Sequence, residues 1–286
     1  MFGFLNVYKP VGITSFDVIR KLRNVLKIKQ IGHTGTLDPL AEGVLPICIG
    51  KSTKLIDYLN EDKAYVADLK FGYVSETYDV ESEQIKFSEK TITRDELICF
   101  LEKFTGEIEQ IPPMYSAIKL NGKKLYEYAR KGTVIEDIPK RIVNISDIHL
   151  VDFGEVNQTA RIFVACSKGT YIRSIIHDLG QISGCGAVMT KLIRVKSGKF
   201  CVENAINIDD IKSVEIVAEK LINPISVMDN PTLELSDEEY SKVITGQKIK
   251  NRGFLDGAVV LLLKTGELIS IARVEQSLIK VIKVFV

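Results

Sequence analysis

One carboxylate, Asp38, lies in the middle of a segment of mostly small or hydrogen-bonding residues, Gly32-His33-Thr34-Gly35-Thr36-Leu37-Asp38-Pro39-Leu40-Ala41-Glu42-Gly43. Proline disfavours the helical conformation for the residue before it, so Asp38 is expected on an extended, stiffened backbone. Asp, Gly and Pro are also ordinary turn residues, and the Asp-Pro pair by itself indicates only a turn. The whole segment indicates more, namely a rigid loop that presents one acid as a nucleophile or general base.

The stretches around this loop predict the elements that hold it in place. The apolar run Val44–Gly50 predicts a buried strand directly after the loop. Before the loop, apolar residues at helical spacing predict an amphipathic helix over 15–28, with Ser15 as its N-cap. Ala64–Gly72 alternates between apolar and polar residues, which predicts a half-buried strand with Tyr65 on its apolar side.

The segment Gly32–Gly50 closely resembles the active-site motif of the bacterial tRNA pseudouridine-55 synthases, in which the aspartate at the position of Asp38 is the essential catalytic residue. Further motifs of that family resemble Lys9–Ser15, Cys166–Arg173, and the pair of segments Ile111–Lys119 and Leu125–Arg130. The resemblance covers roughly residues 3–200 and weakens after that. Ser75–Asp79 resembles a family segment less well, because Ser75 and Ser82 replace a threonine and a glycine.

The resemblance implies a role for each matching residue. Asp38 would act on the nucleotide, Tyr65 would stack on the target base, Arg173 would pair with Asp38 and orient it, and Leu192 would line the uracil pocket; His33 and Tyr171 would lie beside the substrate, and Asp17 would help to extrude the base. The residues alone leave plainer alternatives open: a core aromatic for Tyr65, a surface arginine for Arg173, core for Leu192, a structural histidine for His33 and a helix-terminus acid for Asp17.

The net charge of the chain does not support an RNA substrate, but one basic stretch of the sequence does. The net charge is only +1, from 38 basic and 37 acidic residues, whereas many nucleic-acid-binding proteins are far more basic. Between Met114 and Arg141, however, seven Lys or Arg stand against three acids, with tyrosines interleaved. The resemblance makes this part of an RNA-clamping insertion at about 112–141, in which Lys123, Lys124, Arg130 and Lys131 would contact phosphates. The alternative is a solvated charged face.

The sequence indicates neither a metal nor a cofactor. His149 and His177 have no partners at metal-ligand spacing, and Gly50-Lys51-Ser52 lacks the earlier glycine of a phosphate-binding loop. Conversion of uridine to pseudouridine needs no redox change and no group donor, which agrees with that expectation. The five dispersed cysteines favour reduced thiols and a cytoplasmic protein, and we expect no membrane span.

We therefore predict an α+β protein with the pseudouridine synthase fold, in which helices flank a mixed, mainly antiparallel sheet. A change of character near Asp229-Asn230-Pro231 divides residues 1–228, the catalytic domain, from residues 229–286, a small β-rich domain like the PUA RNA-binding domain. In that second part we expect a helix at 236–245 and three strands, at 258–263, 267–274 and 278–285.

The predicted function is the isomerisation of uridine to pseudouridine in the T loop of tRNA, at position 55, by base flipping and an Asp38-dependent cleavage and re-formation of the glycosidic bond. We expect a monomer without an obligate protein partner. Two alternatives stay open: the subunit of a guide-RNA-dependent pseudouridine synthase, against which the basic insertion argues, and a tRNA-binding folding chaperone. A hydrolase is more distant, because no second carboxylate stands at a recognisable spacing.

Overall fold

The structure, a computed structural model, describes residues 1–60, 62–133, 135 and 137–286. The predicted insertion at 112–141 is therefore described apart from Val134 and Glu136, which lie outside the described residues.

The first 228 residues form strands and helices that alternate irregularly along the chain. The strands are β1 (Gly3–Lys9), β2 (Ile31–His33), β3 (Ala41–Ile49), β4 (Lys63–Phe71), β5 (Tyr73–Val74), β6 (Ile85–Lys86), β7 (Gly106–Gln110), β8 (Lys119–Leu120), β9 (Lys123–Lys124), β10 (Arg141–Gly154), β11 (Thr159–Cys166), β12 (Ala187–Ser197), β13 (Phe200–Cys201) and β14 (Ile206–Asn207). The helices are α1 (Ser15–Leu26), α2 (Arg94–Glu102), α3 (Leu125–Ala129), α4 (Ile172–Ser183), α5 (Val214–Glu219) and α6 (Pro224–Val227), with a 3₁₀ helix at Gly50–Tyr58.

In the described chain, ten of these strands make one sheet, in the order β14-β1-β3-β12-β4-β11-β10-β7, with β2 paired to β3 and β13 to β12. The pairs β1–β14 and β3–β12 are parallel and the others antiparallel. This is the mixed, mainly antiparallel sheet predicted from the sequence. Along β4, the predicted apolar face is buried from Tyr65 to Phe71, and it packs in the same core as α1 and α4.

The helix α1 begins one residue away from the predicted cap. Thr14, not Ser15, is the N-cap: its side chain accepts from the backbone N–H of Asp17, and the Asp17 carboxylate accepts in return from the backbone N–H of Thr14 at 2.8 Å. Ser15 instead exchanges two hydrogen bonds with the backbone of Leu37. The serine that was predicted to start the helix therefore attaches it to the loop that carries Asp38.

The C-terminal part contains a second sheet with more strands than predicted. Among described residues its five strands run in the order β15 (Thr232–Glu234), β17 (Val259–Lys264), β18 (Glu267–Glu275), β19 (Leu278–Val284) and β16 (Ile249–Lys250), with α7 (Asp237–Ile244) beside them. Ser236 caps α7. The two extra strands have three and two residues, too few to show a period in the sequence.

The second sheet packs directly against the first part of the chain. Leu261, Ile271 and Phe285 share a buried apolar cluster with Phe4 of β1, and the Phe285 ring stacks on Phe2 at 5.4 Å between centroids. Burial of this apolar surface holds the two sheets together.

Candidate active site

The backbone holds the loop around Asp38 at several points. Thr34 donates its N–H to Pro46 O at 3.2 Å, and Pro39 O accepts from the N–H of Gly12 at 2.9 Å. The two bonds between Ser15 and Leu37 add a third attachment. The Asp38 side chain itself is 40% exposed. The loop is therefore fixed while its carboxylate stays partly exposed, which agrees with the rigid loop that the sequence predicts.

Arg173, in the first turn of α4, lies against that carboxylate. One guanidinium nitrogen is 2.7 Å from Asp38 Oδ2 and also donates to Tyr115 O at 3.0 Å. The other terminal nitrogen donates to Thr77 O at 3.1 Å and faces Asp79 Oδ2 at 3.4 Å. The Arg173 side chain is only 7% exposed, so these partners compensate for the loss of water around its charge.

Asp38 and Arg173 line a pocket of about 290 Å³ together with Tyr65 and Leu192. Tyr65 comes from β4 and Leu192 from the neighbouring strand β12, which pairs with β4 antiparallel. Tyr171 also lines the pocket, and residues of the predicted insertion, including Tyr115, close another side. The structure thus brings five of the predicted site residues around one cavity.

Asp17 and His33 lie elsewhere. Asp17 is not among the described residues that line the pocket, and its carboxylate is occupied by the cap of α1 and by an ion pair with Arg20. The bonds from Thr14 lower the pKa of Asp17. His33 lines neither this pocket nor the larger cavity that adjoins it, which is described below. Burial lowers the pKa of His33, and the nearby positive charge of Arg194 lowers it further. Its imidazole is therefore neutral at pH 7.

Arg194 is a site residue that the sequence reasoning missed. It is 1% exposed, and it donates to Val44 O at 2.6 Å, to Gly35 O at 3.1 Å and to Thr36 O at 3.4 Å. It therefore ties β12 to the loop before Asp38. Period-two alternation was the available signal, because Arg194 lies two residues after Leu192 on the same strand.

The need for glycine at position 43 comes from the backbone conformation and from a close contact between two strands, and not from the approach of a ligand. Its φ of +107° lies in the region that favours glycine, and a Cβ there would meet the carbonyl oxygen of Arg194 at 2.3 Å. The parallel pairing of β3 with β12 brings the two backbones together at this point.

Asp79 is the second residue that was missed. It is fully buried; one carboxylate oxygen accepts from the Thr77 hydroxyl and from the N–H of Glu81 at 2.9 Å, while the other faces Arg173. Ser75 donates its hydroxyl to Asp79 O at 2.6 Å, so the serine that departs from the family pattern still closes the turn. The sequence signal was the imperfect match over Ser75–Asp79, to which no role was assigned.

A second cavity of about 670 Å³ adjoins the first and shares Thr36, Tyr65 and Tyr171 with it. Basic side chains, Arg141 and Lys168 among them, contribute to its wall. The two cavities together offer room for more than one base.

The predicted clamp residues are placed on the surface of the insertion. Lys123, Arg130 and Lys131 are exposed and Lys124 is half-buried. Lys124 and Arg130 each lie over the ring of Tyr126, at 5.4 and 5.3 Å from its centroid. Tyr126 also lines the pocket, which places this basic group next to the candidate site.

Among the residues that the structure describes, no three His, Cys, Asp or Glu side chains come together in a way that could hold a metal ion. Within the same part of the chain, no helix is long and apolar enough to cross a bilayer.

Comparison with known proteins assigns the chain to a family. The sequence profile of the TruB family pseudouridylate synthase N-terminal domain matches residues 23–172, and that of the tRNA pseudouridylate synthase B C-terminal domain matches residues 173–228. The chain belongs to the TruB family of pseudouridylate synthases. Proteins named tRNA pseudouridine synthase B are 43% identical over 259 residues in Clostridium acetobutylicum and 45% identical over 260 residues in Clostridium tetani. Each match spans 90% of this chain and 88% of the relative.

Solved structures agree on the fold. This chain is similar, with a TM-score of 0.74 and 24% identity, to a chain of an H/ACA ribonucleoprotein bound to a substrate RNA containing 2′-deoxyuridine. A chain of a Cbf5-Nop10-Gar1 complex gives a TM-score of 0.73 at 24% identity. Both matches cover 100% of this chain and 85% of the other, and they confirm the predicted pseudouridine synthase fold.

Proposed function

We propose that this chain isomerises uridine to pseudouridine in tRNA, at position 55 of the T loop. The observation that carries the proposal is the ion pair of Arg173 with Asp38, 2.7 Å between N and O, at the wall of a pocket that also contains Tyr65 and Leu192. At about 290 Å³ the pocket lies near the small end of the range for ligand sites, roughly 300–1,000 Å³, which suits a single base. The relatives' name, tRNA pseudouridine synthase B, supports tRNA as the substrate.

The reaction breaks the bond between N1 of uracil and C1′ of ribose, forms a bond between C5 and C1′, releases the proton from C5 and leaves N1 protonated, so the product is an isomer of the substrate. Asp38 is the carboxylate on which the cleavage depends, and Arg173 holds it in one orientation through a charge-assisted contact. Tyr65 and Leu192 retain the freed uracil while it turns. Burial raises the pKa of Tyr65, so its phenol stays protonated at neutral pH.

The target base must leave its stack to reach Asp38, which costs a few kcal/mol and least in a loop. Contacts elsewhere on the RNA offset that cost. The exposed cations Lys123, Arg130 and Lys131 would bind phosphates next to the pocket, and the adjoining cavity would take RNA beside the target nucleotide.

We also propose an oligomeric state, a location in the cell and a division into domains. The protein acts as a monomer without an obligate protein partner, and the five free cysteines support its location in the cytoplasm. Residues 1–228 are the catalytic domain and residues 229–286 a small RNA-binding domain, and the two share a buried apolar cluster.

The first experiment uses an unmodified tRNA transcript with tritium at C5 of uridine. Formation of pseudouridine releases that tritium to water, so wild type is compared with Asp38→Asn without added cofactor or guide RNA. We expect release by wild type and none by Asp38→Asn, although the variant still binds tRNA. A wild-type protein that binds tRNA tightly and releases no tritium would refute the proposal and favour the chaperone or the guided enzyme.

The position in tRNA is tested in the same assay with one changed nucleotide. A transcript with cytidine at position 55 should release no tritium, whereas a transcript with a changed uridine outside the T loop should release as much as the parent. Undiminished release from the first transcript would place the reaction at another uridine.

A further inference from the structure

The strongest unexplained feature near the site is a ring stack between the Asp79 loop and α4. The rings of Tyr78 and His177 lie 3.9 Å apart between centroids, with an angle of 14° between their planes. Tyr78 is the neighbour of Asp79 in the chain. His177 lies four residues after Arg173 on α4, so these two side chains project from the same face of the helix.

The backbone at Tyr78 is unusual for an aromatic residue. Its φ of +63° lies in the left-handed region, where Gly and Asn are favoured and bulky residues are rare. Met189 N–H donates to Tyr78 O at 3.0 Å, and Val80 N–H donates to Met189 O at 3.1 Å. These bonds fix the loop to β12, while Arg173 belongs to α4. Besides the bonds that Arg173 itself makes to Thr77 O and Asp79, the Tyr78–His177 stack is a second contact that holds this loop against α4.

His177 supplies a ring face at that contact. Its Nδ1 is buried, and in the part of the chain that the structure describes this atom has no hydrogen-bond partner. The stack with Tyr78 gives this side chain an aromatic partner.

We propose that Tyr78 and His177 are positioning residues for the reaction: their stack locks the Asp79 loop onto α4, which sets the direction of the Arg173 guanidinium and through it the Asp38 carboxylate. The inference rests on the proposed function. Arg173 contacts the reacting carboxylate directly. Tyr78 and His177 lie one layer further out, because they contact neither Asp38 nor the pocket.

Four variants separate the ring face from the rest of each side chain. Tyr78→Phe and His177→Phe keep a ring; Tyr78→Asn and His177→Leu remove it, and asparagine tolerates a positive φ. Because a misplacement of about 1 Å can cost up to roughly 100-fold in rate, we expect the ring-free variants to lose about tenfold in single-turnover tritium release. Their Kd for tRNA should stay within about twofold of wild type, and the ring-retaining variants should recover most of the rate.

The chain offers a matched control, because His149 and Phe163 form a second stack, 5.0 Å between centroids, on the neighbouring strands β10 and β11. His149→Leu should leave the rate unchanged. A second test combines Tyr78→Asn with Asp79→Asn. If the stack acts through Asp79, the double variant should be less than about twofold slower than Asp79→Asn alone, because residues of one network are not additive.

Several results would overturn the inference: ring-free variants as fast as wild type, a loss confined to tRNA affinity, or full additivity with Asp79→Asn. Should Tyr78→Asn fail to fold, the pair His177→Leu and His177→Phe decides alone. Wild type in the same assay separates this inference from the proposed function, since an inactive wild type refutes the function, whereas an active wild type with unaffected variants refutes the stack.

Discussion

Replacement of Asp79 by Asn tests how much the reaction depends on a carboxylate that does not touch the substrate pocket. The amide oxygen of Asn can still accept from the Thr77 hydroxyl and from the Glu81 N–H. The other side of the amide, however, would point an NH₂ group at the Arg173 guanidinium, where Asp79 Oδ2 now stands at 3.4 Å. A buried attraction becomes a contact between two donors.

The magnitude follows from the partners that remain. Loss of one partner from a buried ion pair costs roughly 3–5 kcal/mol when the other charge is left alone. Arg173 keeps Asp38 and the carbonyl oxygens of Thr77 and Tyr115, so the lower range for a hydrogen bond to a charged group, about 1.5–3 kcal/mol, applies. If about 2 kcal/mol of that is lost from the transition state, the rate falls roughly 30-fold, since each 1.36 kcal/mol is tenfold.

Single-turnover tritium release with enzyme in excess measures this change without a contribution from product release. We expect the rate constant to fall roughly 30-fold while the Kd for tRNA, measured by filter binding, changes by less than about threefold. Asp68→Asn is the matched control: Asp68 also pairs with an arginine, Arg161, but on the exposed surface of β4 and β11. Unchanged rates for Asp79→Asn, or equal losses in both variants, would refute the argument from the Arg173 network.

Three further predictions concern stability, RNA binding and pH. Gly43→Ala should prevent stable folding, seen as loss of the thermal transition, because its Cβ would meet Arg194 O at 2.3 Å on a backbone with positive φ. Lys123→Gln with Lys131→Gln should weaken tRNA binding and reduce the slope of log K against log salt by about 1–2, with kcat at saturating tRNA unaltered. Burial raises the pKa of Asp178 from 3.8 to about 6, so the folded state binds the extra proton between those values and stability falls as pH rises through them. Asp178→Asn should therefore raise Tm by about 2–4 °C at pH 7.5 and leave it nearly unchanged at pH 4, by calorimetry; an equal gain at both pH values would contradict this.

The sequence predicted best where the signal is local. The helix expected at 236–245 is found as α7, and the alternation from Tyr65 to Phe71 marks the buried face of β4; both are confirmed. At α1 the sequence predicts Ser15 as the N-cap, whereas Thr14 caps the helix, because either residue type can cap and the side chain of Ser15 is used by Leu37, which is distant in the chain.

The parts of the site that were missed depend on partners far away in the chain. Arg194 bonds Val44 O across 150 residues, and Arg173 reaches Asp79 across 94. Alternation places Arg194 on the same face of β12 as Leu192, but it does not identify the carbonyl oxygens that Arg194 binds. The pairing of Arg173 with Asp38 was expected from the resemblance to a family, and no periodicity in the sequence could have supplied it.

The two buried arginines act on the Asp38 loop in different ways, and this difference explains why both are present. Arg194 binds carbonyl oxygens of Gly35 and Thr36, so it fixes the backbone before Asp38 whatever the protonation of the carboxylate. Arg173 contacts the carboxylate itself, so it fixes the reacting oxygen atoms. Under the proposed function, a carboxylate on which cleavage depends needs both, because a fixed side chain on a mobile loop, or a fixed loop with a rotating side chain, would each lose the pre-organisation on which the rate depends.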